Sequence, residues 1–302
     1  LFEPRGGFVA IKATRPRKDM NASQAVGHNV LVGEFDVCPA TINAAAFRRV
    51  RCGTVDHIGI SLQSRHISSM CNLYNITTSQ DAIREWTRAL RDIMGNLEPS
   101  LDVYPNTPAP VVRNAPDGQR ELAKLLWGMP TPIERVKGKA DYGTTNIRNP
   151  QYAHWQQYVG TEHRCVVPVT SFAEPSPKPD DKDPETGIQR NYWFARSEDR
   201  PLFFFAGLWT TWGGVRRVKD GAGEHELYAF LTTKPNAVIA PIHEKAMPVI
   251  LTTREEVEAW MTYPWSEARH MQRTTSDDAL VIVEKPATQI KPPQTYGQLS
   301  LL

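Results

Sequence analysis

The chain has 302 residues, 40% of them hydrophobic and 23% charged, with 35 Lys/Arg against 33 Asp/Glu for a formal net charge of +2. That length supplies ample material for a buried core, and no apolar run approaches the ~18 residues that a membrane-crossing helix needs, so the composition predicts a soluble globular protein. The charge is unevenly divided, with nine Lys/Arg and five Asp/Glu in residues 1–69 and 26 and 28 in the rest, which excludes a broadly basic main domain and leaves a local basic groove as the only route to a nucleic-acid partner.

Residues 1–69 show short apolar clusters such as Val30-Leu31-Val32 and scattered arginines, with no sustained period. Three readings are open for them: a pro-segment, a targeting arm, or an upstream stretch translated from a wrongly chosen start. The Leu1 start and the later Met70-Cys71 favour the last. The texture changes from Cys71 on. Ser79 is placed to N-cap a helix running to about Met94, with Ile83, Trp86, Leu90 and Ile93 on one face and Gly95 as its stop. Strands are predicted at Ala109–Arg113, Leu122–Trp127, Arg164–Ala173, Tyr192–Arg196, Leu202–Trp209, Glu226–Thr232 and Met247–Leu251. Pro175–Arg190, rich in Pro, Asp and Lys, reads as a long exposed hairpin loop. Thr253 and Glu256 form a capping box for a helix through Trp260 and Met261, and a last strand, Leu280–Val283, precedes a flexible tail at 286–302. The expected fold class is α+β: a strand-dominated, mixed or antiparallel, barrel-like β core flanked by helices, with residues 70–285 as one domain.

Cys38, Cys52, Cys71 and Cys165 form no C-x-x-C pair, so neither a zinc site nor a disulfide framework is expected. Reduced thiols in a cytoplasmic setting are the default. Met70-Cys71 matters most. Were Met70 removed, Cys71 would present an α-amine and a thiol two carbons apart. The amine can attack an aldehyde to give a Schiff base, and the thiol can then close a five-membered thiazolidine ring. An α-amine titrates near pH ~7.7–8.0, so a useful fraction is neutral in a cell, unlike a lysine at ~10.4.

Four segments accompany that cysteine: Met70-Cys71-Asn72-Leu73-Tyr74, Thr145-Asn146-Ile147-Arg148, the run from Arg164 to Glu174, and the run from Pro241 to Leu251. In that order and spacing, with Pro105–Val112, Trp127-Gly128-Met129-Pro130 and Ala206-Gly207-Leu208-Trp209, they resemble the SOS-response-associated peptidase (SRAP) family over about residues 70–285. The resemblance implies the SRAP fold and a protein that shields abasic sites in single-stranded DNA by covalent attachment, with peptidase-like removal of whatever precedes the cysteine. It implies Cys71, Glu174, His243 and Asn146 as the catalytic set and Arg148, Lys245, Trp127 and Pro105 as DNA contacts.

The residue types suit those roles. Glu174 can relay protons between amine and leaving hydroxyl, and the His243 imidazole can move a proton near neutral pH to open the sugar hemiacetal. Asn146 can hold the sugar oxygen or the amine, while Arg148 and Lys245 suit phosphates. Trp127 and Pro105 can stack on or wedge between bases. No metal, nucleotide or other cofactor is implied, and a monomer is the default state. The chain departs from the family pattern at Cys71-Asn72-Leu73 (usually Cys-Gly-Arg), at Pro175 (often Trp), at Pro150 (usually Glu) and at Lys245, with one extra residue before Met247-Pro248. Two other readings remain: a cysteine peptidase with Cys71 as nucleophile and His243 as base, acting on its own chain after Met70 or on other peptides, and a non-catalytic single-strand-binding module.

Overall fold

A computed structural model describes residues 71–98 and 101–286. The expectations for residues 1–69, for Met70 and for the tail from 287 lie outside the described residues. In chain order the elements are β1 (Leu73–Ile76), α1 (Gln80–Thr87), β2 (Arg91–Asp92), β3 (Leu101–Val103), β4 (Pro108–Asn114), β5 (Arg120–Trp127) and β6 (Asn146–Ile147). They continue with α2 (Ala153–Gln156), β7 (Arg164–Val169), β8 (Ser171–Pro175), β9 (Asn191–Ala195), β10 (Phe203–Val215) and β11 (Ala222–Thr233). Last come β12 (Met247–Pro248), β13 (Ile250–Leu251), α3 (Arg254–Thr262), α4 (Trp265–Ala268) and β14 (Val281–Val283). None of the described helices is long and apolar enough to cross a membrane.

Five strands close into a barrel. The antiparallel order β11-β10-β7-β4-β5 returns on itself because β5 also pairs in parallel with β11, Tyr228 opposite Trp127. Closure removes the exposed edges an open sheet would carry. The interior is aromatic: Phe205 lies 4.7 Å from Phe230 between ring centroids, and Trp127 lies 5.2 Å from Phe230. Truncating one such ring to alanine costs about 3–5 kcal/mol through lost burial and the cavity left behind. A second sheet, β14-β9-β8-β1-β3, supplies the other wall of the molecule. The strand-dominated α+β, barrel-like expectation therefore holds.

Three local expectations need correction. The helix predicted to reach Met94 stops at Thr87, because Arg88 takes a left-handed conformation (φ 55°). Beyond it the Leu90 and Ile93 amides donate to Arg120 and Leu122 of β5, so sheet pairing wins over helical periodicity and leaves both side chains exposed. The single strand expected over Arg164–Ala173 is two, one in each sheet. Thr170 makes the break: its amide and hydroxyl both donate to the Asn75 carbonyl, at 2.9 and 3.1 Å, and carry the chain across from the barrel to β1. The Met247–Leu251 strand is likewise two short pieces around Val249, whose amide donates to Leu231. The Thr253/Glu256 capping box is formed as read.

The crossing at Thr170 is what builds the site. It sets β8 antiparallel to β1 with Ala173 opposite Leu73, so Glu174 arrives beside the residues that precede β1. Glu174 lies two residues beyond Phe172 and shares its core-facing side.

Candidate active site

Cys71 sits just before β1, 1% exposed, with its thiol 3.8 Å from the Leu73 carbonyl. Asn146 reaches it from β6, a two-residue strand held against β11 by pairing with Phe230. The Asn146 amide donates to the Cys71 carbonyl at 3.0 Å, and its own carbonyl oxygen is buried without a partner among the described residues. Trp127 fixes the base of this arm, donating from its indole to the Thr145 carbonyl at 3.0 Å.

Glu174 is fully buried (0% exposed), and neither carboxylate oxygen completes a hydrogen bond of standard geometry. Burial drives its pKa well above the ordinary carboxylate value; the Cys71 backbone N–H and thiol oppose that only in part. Burial also raises the Cys71 thiol well above its usual value, and the neighbouring Glu174 charge adds to the effect. Both shifts run toward the protonated forms, a carboxylic acid beside a thiol.

His243 completes the cluster. Its Nδ1 lies 2.7 Å from the Ala246 carbonyl and 4.0 Å from Glu174 Oε2. A carbonyl can only accept, so Nδ1 carries the hydrogen, and it is Nε2 that is left to exchange a proton with a substrate. That Nε2 is buried and has no partner among the described residues. The loop that carries it is braced: the His243 amide donates to Ile239 at 2.8 Å, and Asn236 caps the Ile239 amide at 3.1 Å.

His243 carries the edge of the cluster to a cavity of about 720 Å³, whose lining also includes Leu73, Tyr104, Pro105, Lys245 and residues of the β8–β9 loop, Pro177 among them. The sequence-selected residues thus fall into three groups. Cys71, Asn146, Glu174 and His243 converge; Lys245 and Pro105 line the mouth. Trp127 is 0% exposed inside the barrel, edge-on to Tyr74 at 5.3 Å, and supports Asn146 from beneath with no face open to a base. Arg148 follows β6, its carbonyl held by Gln272 at 2.8 Å and its Nη1 buried without a partner among the described residues. Sequence reasoning passed over Tyr104, the exposed aromatic next to Pro105; adjacency to that proline was the available signal.

The family model for SOS response associated peptidases (SRAP) matches residues 70–286. The chain belongs to the SRAP family. That membership carries a DNA-damage-associated role. Among solved structures, a protein from Bordetella bronchiseptica is 23% identical with a TM-score of 0.53, covering 71% of this chain and 100% of that one. One from Bacteroides thetaiotaomicron is 20% identical with a TM-score of 0.54, covering 71% and 92%. A phage-related protein from Bordetella bronchiseptica is 19% identical with a TM-score of 0.51, covering 70% and 92%. At these identities the likeness speaks for the fold alone. No curated protein matches the chain.

Proposed function

We propose that this SRAP-family chain, with Cys71 as its amino terminus after loss of Met70, crosslinks covalently to abasic sites in single-stranded DNA and so shields them. The observation that carries the reading is the buried Glu174 carboxyl, unpartnered yet next to both the nitrogen and the thiol of Cys71, with His243 4.0 Å away.

The steps balance. His243 Nε2 takes the hemiacetal hydroxyl proton and returns it to the ring oxygen as that C–O bond breaks and the aldehyde forms. The neutral Cys71 amine adds to the aldehyde carbon, and one proton passes from the nitrogen to the new alkoxide to give the carbinolamine. Glu174 donates its proton to the resulting hydroxyl, which leaves as water and gives the iminium. The carboxylate so formed takes the thiol proton, and sulfur bonds to the iminium carbon to close the thiazolidine. Asn146 keeps Cys71 in place through its carbonyl. A carboxyl held protonated suits the water-loss step, and a thiol held neutral suits a late, imine-dependent attack. The same raised thiol weighs against a peptidase reading, which needs a thiolate.

Intact-mass spectrometry of the purified protein, before and after incubation with abasic single-stranded DNA, tests this. The expected result is a mass beginning at Cys71 that gains the oligonucleotide less one water and survives heating. A Cys71 terminus that forms no adduct would remove the covalent reading.

A further inference from the structure

We propose that Tyr104 is the platform on which a nucleobase flanking the lesion stacks, which would make the protein sensitive to the presence of a base beside the abasic sugar. This rests on the single-stranded-DNA reading above. Val103, at the end of β3, is buried opposite Tyr74, and the next residue, Tyr104, is 48% exposed at the mouth of the cavity that Leu73, His243 and Lys245 also line. Pro105 and Pro177 stand on the same walls, so the opening beside the reactive cluster is bounded by a ring and prolines, surfaces suited to a flat base.

The turn that carries the ring is held by its backbone. Thr107 ties the turn to Tyr104 three times: its hydroxyl donates to the Tyr104 carbonyl at 2.6 Å and accepts from the Tyr104 amide at 3.2 Å, and its own amide donates to that carbonyl at 3.2 Å. Asn106, in a left-handed conformation (φ 59°), donates its amide to the Trp127 carbonyl at 2.8 Å. From beneath, Arg216, 3% exposed, grips the Asn106 side-chain oxygen through Nε and Nη2 at 3.3 and 3.1 Å and the Tyr142 carbonyl at 2.9 Å. Room for that guanidinium depends on Gly128 and Gly143, both at positive φ, where an added Cβ would fall 2.6 and 2.5 Å from Arg216 nitrogens. Such bracing reduces the ordering a base must impose when it stacks. It also links the Tyr104 turn to the segment that leads into Asn146, so platform and chemistry share one frame.

The test uses the full protein and single-stranded oligonucleotides with a central tetrahydrofuran, a stable abasic analogue, and either adenine or a second tetrahydrofuran at each neighbouring position in turn. Fluorescence anisotropy should show wild type favouring adenine on one side by about tenfold, the lower part of the range for base–aromatic stacking. Tyr104→Phe should keep that ratio and Tyr104→Ala should bring it to about one, with thermal melts showing that both remain folded. A wild-type ratio of one on both sides, or an intact preference in Tyr104→Ala, overturns the proposal. A denaturing gel of wild type with a true abasic oligonucleotide separates the two readings. Preference without an adduct supports the platform and removes the covalent chemistry, whereas an adduct without preference does the opposite.

Discussion

Glu121 and Glu174 are both carboxylates buried in strands, and they are treated in opposite ways. Glu121, 4% exposed on β5, receives Arg113 Nε at 2.9 Å and Arg91 Nη2 at 2.8 Å. Arg113 is in turn bonded to Glu226 and lies 4.2 Å over the Trp209 ring. Glu174, more deeply buried, faces no fixed cation: the His243 ring lies at 4.0 Å, the Cys71 N–H and thiol are its other neighbours, and neither oxygen completes a hydrogen bond of standard geometry among the described residues. Burying a charge is tolerated when it is paired and is costly when it is not. The Arg113 end of the barrel is therefore built for stability, while the Cys71 end retains a carboxyl without a cationic partner, as the proposed chemistry requires.

The sharpest way to break this contrast is at Cys71. Cys71→Ala should abolish the heat-stable adduct while leaving affinity for a tetrahydrofuran oligonucleotide within about twofold of wild type, since only the thiol is removed. Full protection of abasic DNA by Cys71→Ala would favour the non-catalytic module. Next come the two glutamates themselves. Glu174→Gln should slow adduct formation by about 10²–10⁴-fold, the usual worth of a positioned acid–base group, yet melt no earlier than wild type at pH 7. Glu121→Gln should lower stability by about 3 kcal/mol, because it strips a charge partner from buried Arg113, and should leave the adduct rate of the folded protein near wild type. Interchanged outcomes would mean that the assignment of the two ends is reversed.

The pH dependence sharpens the same point. Glu174 holds its proton more tightly when folded than when unfolded, since burial raises its folded pKa well above 4.5. As pH rises through about 4.5 the unfolded chain releases that proton first, so this group's contribution favours the folded state less and less until the folded pKa is passed. Denaturant melts between pH 4 and pH 8 should show Glu174→Gln gaining on wild type as pH rises. A constant difference across that range would mean that the buried carboxyl is not held protonated.

How much of this was legible beforehand follows from the kind of signal each feature sends. Cys71, Glu174, His243 and Asn146 were readable because reactive residue types stood in ordered segments, and the structure brings them together. The α3 capping box was readable because its two partners lie three residues apart. The end of α1 was not, because amides that pair with β5 have no local signature. Trp127 drew attention as a group able to stack on bases, but indole chemistry reads alike in a core and on a surface; barrel closure opposite Tyr228 buries it. Arg216 was invisible for the same reason, since its partners Asn106 and Tyr142 lie 110 and 74 residues away in sequence.

The smallest expected effect tests whether burial of the partner, and not merely its charge, distinguishes the two ends. Arg113 has two carboxylate partners at short range: Glu121, whose side chain is 5% exposed, and Glu226, whose side chain is 42% exposed. Pair energies at that degree of exposure are screened by water and seldom exceed about 1 kcal/mol, although the Glu226 contact is short, at 2.6 Å. Glu226→Gln should therefore cost about 0.5 kcal/mol in a denaturant melt, several-fold less than Glu121→Gln, and salt should shrink it further. If the two substitutions cost the same, Arg113 responds to the sum of neighbouring charge wherever it lies. Burial would then no longer set the Glu174 carboxyl apart, and its raised pKa would be a poor guide to which end of the barrel carries the chemistry.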